Sequence, residues 1–146
     1  MLSGEYSHNL DAKGRVILPA RLREEIGDSF YITRGFEGCL AIYSSEEFEK
    51  LGAAIQALPG NMKEVRKLQR IIITGAHQCE VDKQGRFVVP PTLREFASLE
   101  KELTIVGNGS HAEIWDSAKW NEYLYGDDSM SLEEAAEALR AEGLSM

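Results

Sequence analysis

The chain has 146 residues and a formal net charge of −8, a length suited to one compact domain of ordinary size or two very small ones. Two cysteines, Cys39 and Cys79, exclude a disulfide framework, and no amino-terminal stretch has the basic, apolar and small-residue parts of a secretion signal. No run approaches the roughly 20 apolar residues of a membrane span, so the expectation is a soluble cytoplasmic protein.

The acidity is uneven. From Glu113 to Met146 nine acids face only Lys119 and Arg140, while the preceding part is nearly neutral and holds two basic clusters. One is Lys13, Arg15, Arg21 and Arg23; the other is Lys63, Arg66, Lys67 and Arg70. The distribution therefore leaves nucleic acid open as a partner where the sum alone would argue against it.

In chain order, residues 5 to 10 lead into Asp11-Ala12-Lys13-Gly14-Arg15, where glycine supplies a positive φ for a tight turn. Arg15 to Leu18 then reads as a short strand, and residues 20 to 26 as a two-turn helix, with Pro19 at its first position and Gly27 as its stop. Phe30 to Thr33 and Cys39 to Tyr43 read as two further strands joined through Gly35 and Gly38. Ser44 to Glu47 forms a capping box for a helix with Phe48, Leu51, Ile55 and Leu58 on one face. Asn61 and Glu64 open the next helix, whose other face is basic.

The chain then repeats itself. Asp82-Lys83-Gln84-Gly85-Arg86 matches the first turn at an offset of 71 residues, Pro90 matches Pro19, and Leu93, Arg94 and Glu95 match Leu22, Arg23 and Glu24. Seven of the 17 residues from 10 to 26 are identical in the second copy. After a one-residue insertion, Glu113 to Ser117 and Trp120 echo Ala41 to Ser45 and Phe48. The second copy thus predicts a strand at Arg86 to Val89, a helix near Pro91, strands at Leu103 to Val106 and Ala112 to Trp115, a hairpin turn at Gly107 to Gly109, and a last helix capped by Asp116. Ser131 to Glu134 caps an acidic, peripheral tail helix. Two copies of about 45 residues are each too small to stand alone and too few for a solenoid, so they share one core as a pseudo-symmetric pair.

Several chemistries compete for these residues. Asp11 and Asp82 at the start of tight turns can accept turn amides, with Gly14 and Gly85 completing the turn, and Arg15 and Arg86 can pair with the carboxylates. An arginine on a rigid turn is also placed to bind phosphate or the O6 and N7 of guanine; Lys13 and Lys83 stand beside it. A catalytic carboxylate dyad of Asp11 and Asp82 is disfavoured, since each has a basic partner to keep it ionised. His77 and Cys79 are only two potential metal ligands, with His8 and His111 isolated, and no nucleophile or phosphate-loop motif occurs. The expectation is a binding module, not an enzyme, with no metal, cofactor or small-molecule substrate.

With the doubled Asp-x-x-x-Arg motif, the proline after each copy and the two helices between them, residues 1–125 resemble the bacterial MraZ proteins, built from two tandem repeats like those of the AbrB and SpoVT transition-state regulators. The resemblance implies a mainly β fold with short helices (α+β), a pseudo-two-fold swapped-hairpin β-barrel with a helical connector and a C-terminal helix. Its parts would be repeat 1 at 5–47, the connector at 48–75, repeat 2 at 76–119 and the acidic extension at 120–146. It further implies a nucleoid-associated, ring-shaped homo-oligomer that binds direct repeats in double-stranded DNA upstream of the division and cell-wall gene cluster, as a repressor. The family's DNA-contacting signature falls on Asp11, Lys13 and Arg15, and on Asp82 and Arg86; Gln84 replaces the lysine in the second copy, although Lys83 adjoins it. With Arg21 and Arg23 added, the first copy reads as the one that contacts DNA and the second as its structural counterpart. The alternative is a ring that binds another protein through its acidic tail.

Overall fold

The computed structural model describes residues 1–146. Repeat 1 supplies β1 (Glu5–Asn9), β2 (Arg15–Ile17), α1 (Ala20–Ile26), β3 (Ser29–Arg34) and β4 (Leu40–Ser44). After α2 (Ser45–Gln56) and α3 (Lys63–Ile72), repeat 2 supplies β5 (His77–Glu80), β6 (Arg86–Val88), α4 (Pro91–Phe96), β7 (Glu102–Asn108) and β8 (His111–Asp116). Two helices follow, α5 (Ser117–Tyr125) and α6 (Leu132–Leu139).

The strands interlock. A six-stranded sheet runs β1-β7-β8-β4-β3-β5, so the first strand of each repeat pairs with the third strand of the other and the fourth strands meet at the centre. The second strands, β2 and β6, pair only with each other as an antiparallel ribbon. The ladders themselves leave β1 and β5 as edges of an open sheet.

Alternation of side chains along the short strands explains where the core lies. In β2 Val16 points inward between Arg15 and Ile17; in β6 Phe87 does so between Arg86 and Val88. Both join one cluster with Leu18, Leu22, Phe30, Ile32, Ile42, Val89, Leu93, Leu103, Ile105 and Ile114, drawn evenly from the two repeats. Phe30 of repeat 1 meets Phe87 of repeat 2 edge to face, with centroids 5.1 Å apart, the arrangement that aromatic quadrupoles favour.

The connector is tied down at its end. Arg34 Nη1 donates to the Ile71 carbonyl at 3.1 Å and Thr33 Oγ1 to the Ile72 carbonyl at 2.5 Å, which satisfies acceptors left open at the C-terminus of α3 and places a cation there. Tyr31 stacks on Phe48 of α2 at 4.4 Å. Ser44 and Ser131 cap α2 and α6 through the amides of Glu47 and Glu134.

Four local expectations are corrected. Pro19 stands before the first turn of α1, as its N-cap, whereas Pro91 takes the first helical position of α4. Met62, not Asn61, precedes α3, and no side chain caps it. Asp116 precedes α5 but its carboxylate accepts from the Glu100 amide at 3.0 Å, not from its own helix. The β7–β8 turn lies at Gly109–Ser110 because Gly107 belongs to the strand, where a Cβ would sit 2.4 Å from the Ser3 nitrogen.

Because the two halves share one core, Phe87→Ala is expected to lower stability by about 3–5 kcal/mol. Urea unfolding followed by tryptophan fluorescence, which reports repeat 2, and by far-UV circular dichroism should shift together in one transition.

Candidate functional site

Both turns are built the same way, almost atom for atom. Asp11 Oδ1 accepts from the amides of Lys13 at 2.9 Å and Arg15 at 2.8 Å, while its Oδ2 accepts from Arg15 Nε at 2.7 Å. Asp82 Oδ1 accepts from the amides of Gln84 and Arg86, each at 2.9 Å, and its Oδ2 from Arg86 Nε at 2.9 Å. Gly14 and Gly85 share a φ of 77°, a left-handed conformation that a side chain would strain. Each glycine carbonyl then bonds across the pseudo-two-fold: Leu18 N–H donates to Gly85 O and Val89 N–H to Gly14 O, both at 2.9 Å.

These bonds fix the state of the carboxylates. The Arg15 amide, with the Arg15 guanidinium and the Lys13 amide behind it, holds the Asp11 carboxyl below its ordinary range against a smaller opposing effect of desolvation. For Asp82 the Arg86 amide leads, followed by Gln84 and the guanidinium. Each aspartate bonds its own arginine, a pairing that favours the ionised carboxylate and works against a shared proton. No group of three potential metal ligands occurs.

Pairing consumes only the Nε of each arginine. The terminal nitrogens of Arg15 and Arg86 have no protein partner, and the side chains are 27% and 29% exposed. In the ribbon Arg15 pairs with Val88 and Arg86 with Ile17, so all four side chains lie on the face opposite Val16 and Phe87. Ile17 and Val88 are 41% and 50% exposed there. Across one antiparallel pair the two arginines are diagonal neighbours, about 7–8 Å apart at the backbone. Lys13 and Lys83 are exposed at the turns, and neither forms an ion pair.

The remaining predicted cations lie elsewhere. Arg21 is exposed on α1, beside Met1, Leu2, Tyr6 and Glu24. Arg23 does not belong to the first turn: its guanidinium crosses to the second, 3.4 Å from where a Cβ on Gly85 would stand, and pairs with Asp28 at 2.7 Å. That carboxylate holds the Arg23 guanidinium more firmly protonated than usual. The cation over the first turn is Arg94 of α4, whose Nη1 lies 2.7 Å from the position of a Cβ on Gly14. The signal that could have found it is the repeat itself, since Arg94 matches Arg23 and the repeats exchange partners. On α3, Lys63, Arg66, Lys67 and Arg70 are all exposed.

Fold and site together define a class: tandem-repeat proteins whose two interlocked copies present paired Asp–Arg turns on a shared ribbon. Residues 1–71 and 72–141 each match the model of one family, described as "MraZ protein, putative antitoxin-like". The chain belongs to the MraZ family. It is 46% identical to the "Transcriptional regulator MraZ" of Acetivibrio thermocellus over 99% of this chain and 100% of the relative. It is also 45% identical to the protein of that name in Thermoanaerobacter sp. (strain X514) and 47% to that of Heliobacterium modesticaldum, each over 95% of this chain and 96% of the relative.

The depressed carboxyls have a consequence at acid pH. The unfolded chain, with aspartates near 3.8, takes up protons at higher pH than the folded one. Their stabilisation is therefore full above about pH 5 and is lost as the pH falls through 4 toward the lower folded values. The urea midpoint should drop over that range, and the double change Asp11→Asn with Asp82→Asn should flatten the drop.

Proposed function

We propose that this protein is a transcriptional regulator that binds double-stranded DNA through the outer face of the β2–β6 ribbon and the two turns. The observation that carries the reading is the placement of Arg15 and Arg86 on one exposed ribbon face with their terminal nitrogens unpaired. The major groove of B-DNA admits a two-stranded ribbon, and a guanidinium with free terminal nitrogens can bond guanine O6 and N7 in bidentate fashion or clamp a phosphate. Ile17 and Val88, exposed between the arginines, suit thymine methyl groups. Asp11 and Asp82 stiffen the arginines before contact, so less side-chain freedom is lost on binding. The names of the relatives, transcriptional regulators, support the same reading.

The finer reading follows from charge. One subunit offers few cations against a net charge of −8, so tight binding needs several subunits on one DNA. In a ring-shaped homo-oligomer aligned with direct operator repeats, each contact raises the effective concentration of the next. As a nucleoid-associated repressor, such a ring would occupy repeats upstream of the division and cell-wall gene cluster. Sheet and ribbon together form the walls of the swapped-hairpin barrel in this reading. Lys13 and Lys83 add phosphate contacts at the turns.

A second reading, a protein-binding ring of antitoxin-like kind, is favoured by one observation. The acidic helix α6 leaves Leu132 and Leu139 68% and 48% exposed, an apolar stripe open to solvent.

Arg15→Ala should abolish binding to the upstream region of the protein's own gene, in fluorescence anisotropy, while size-exclusion chromatography shows the oligomer unchanged. Unaltered affinity would remove Arg15 from the interface. Wild-type affinity should fall steeply with salt, as released counterions require. Equal, salt-independent signals on promoter and random duplexes would favour the protein-binding reading.

A further inference from the structure

The two repeats match closely at the turns and differ at the cation lying over each. Arg23 and Arg94 occupy the same place in α1 and α4, and each crosses to the opposite repeat's turn. Arg23 arrives already neutralised, its Nε 2.7 Å from Asp28 Oδ1. Arg94 has no such partner: no carboxylate lies within 4.0 Å of it, and its Nε is shut off from water without any hydrogen bond.

The reason can be traced along the backbone. In repeat 1 the Val81 amide donates to the carbonyl of Asp28 at 3.0 Å; in the matching place of repeat 2 the Leu10 amide donates to the carbonyl of Lys101 at 2.8 Å. The connection after α4 is longer, turning through Ser98 at a φ of 51°. Lys101 consequently stands where repeat 1 has its acid. Around the first turn Asp11 stands with Lys13, Arg15 and Arg94, one carboxylate with three cations. Around the second, Asp82 and Asp28 face Lys83, Arg86 and Arg23.

Arg94 is half-buried, and a guanidinium whose Nε is shut off from water with neither a hydrogen bond nor a counter-charge is unfavourably placed. The remaining nitrogens of this half-buried side chain are open to an anion from outside the chain. We infer that Arg94 is a DNA-phosphate-binding residue of the first turn, supplied to it by the second repeat. This rests on the DNA-binding reading above and extends it, because it makes the two turns unequal. The first holds its DNA strand with an extra guanidinium and the second does not, which gives a pseudo-symmetric subunit one orientation on a direct repeat. A phosphate contact carries no sequence information, so its loss weakens specific and random DNA alike.

The test titrates the full-length oligomer with promoter and random duplexes over a salt series. Arg94→Gln should weaken both about tenfold, as loss of a charge-assisted bond does, and make the plot of log affinity against log salt shallower by about 0.9 per phosphate lost. Arg94→Lys should keep the slope, and Arg23→Gln, removing an already paired cation, should change it less. Lys101→Asp leaves Arg94 in place but supplies the carboxylate that repeat 1 has, and should weaken both duplexes too. A folded Arg94→Gln variant with unchanged slope, beside an Arg15→Ala variant that has lost binding, would make Arg94 a packing residue and leave the DNA reading standing. Should Arg94→Gln fail to fold, unchanged affinity in Lys101→Asp has the same meaning. A wild type that binds neither duplex overturns both inferences.

Discussion

Everything in this molecule depends on the exchange of backbone hydrogen bonds between Gly14 and Val89 and between Gly85 and Leu18. Each turn is locally complete, yet its glycine carbonyl is satisfied only by the other repeat. The same residues whose positive φ makes the turn thus join the halves. Directly behind them Val16 and Phe87 enter the common core, so the ribbon is pinned on its inner face by packing and along its ends by hydrogen bonds. Its outer face is left as a stiff platform for two arginines.

That arrangement separates what is local from what is shared. The Asp–Arg turns were legible in the sequence because every bond within them spans at most four residues. Helix α1, the capped helix α2 and the strand order within each repeat were legible for the same reason: caps, glycines and alternation act over short distances. Membership of one family, matched once by each repeat, followed from the doubled motif. Arg23 was misplaced by the same logic, since nearness in sequence to Lys13 and Arg15 does not survive an exchange of partners between repeats. Asp116 has the identity of a cap, but the end of β8 carries it against the Glu100 amide, which takes the carboxylate first. Gly107 belongs to close backbone approach by Ser3 and not to a turn, a contact more than a hundred positions away that no local pattern encodes.

Charge is unevenly distributed along the chain. The tail carries most of the negative excess, and at physiological ionic strength its field fades over about 8 Å. The few cations on the ribbon therefore form a locally basic patch on a chain that stays acidic as a whole. Within the ribbon the balance is struck pair by pair, with each aspartate taking the backbone amide and the Nε of its arginine and leaving the terminal guanidinium nitrogens open. Pairing every guanidinium nitrogen would have made a stable turn without any free donor on the ribbon's outer face.

The interlocked sheet also sets an order of events during synthesis. Strand β1 pairs with β7, which lies far downstream in the chain, and β2 pairs with β6. Neither can find its native partner until repeat 2 has been made. Chain elongation at about 5–20 residues per second leaves repeat 1 with two unpaired strands for several seconds, with only β3–β4 and the first helices able to form early. The contacts that close last are the long-range ones, which are slow to form and expose strand edges while they wait. A nascent first repeat can satisfy those edges with the same repeat of a neighbouring chain on the polysome. The chain's short strands of three to seven residues and the polar residues of β1, Glu5, Ser7 and Asn9, limit how well such a premature pairing can hold.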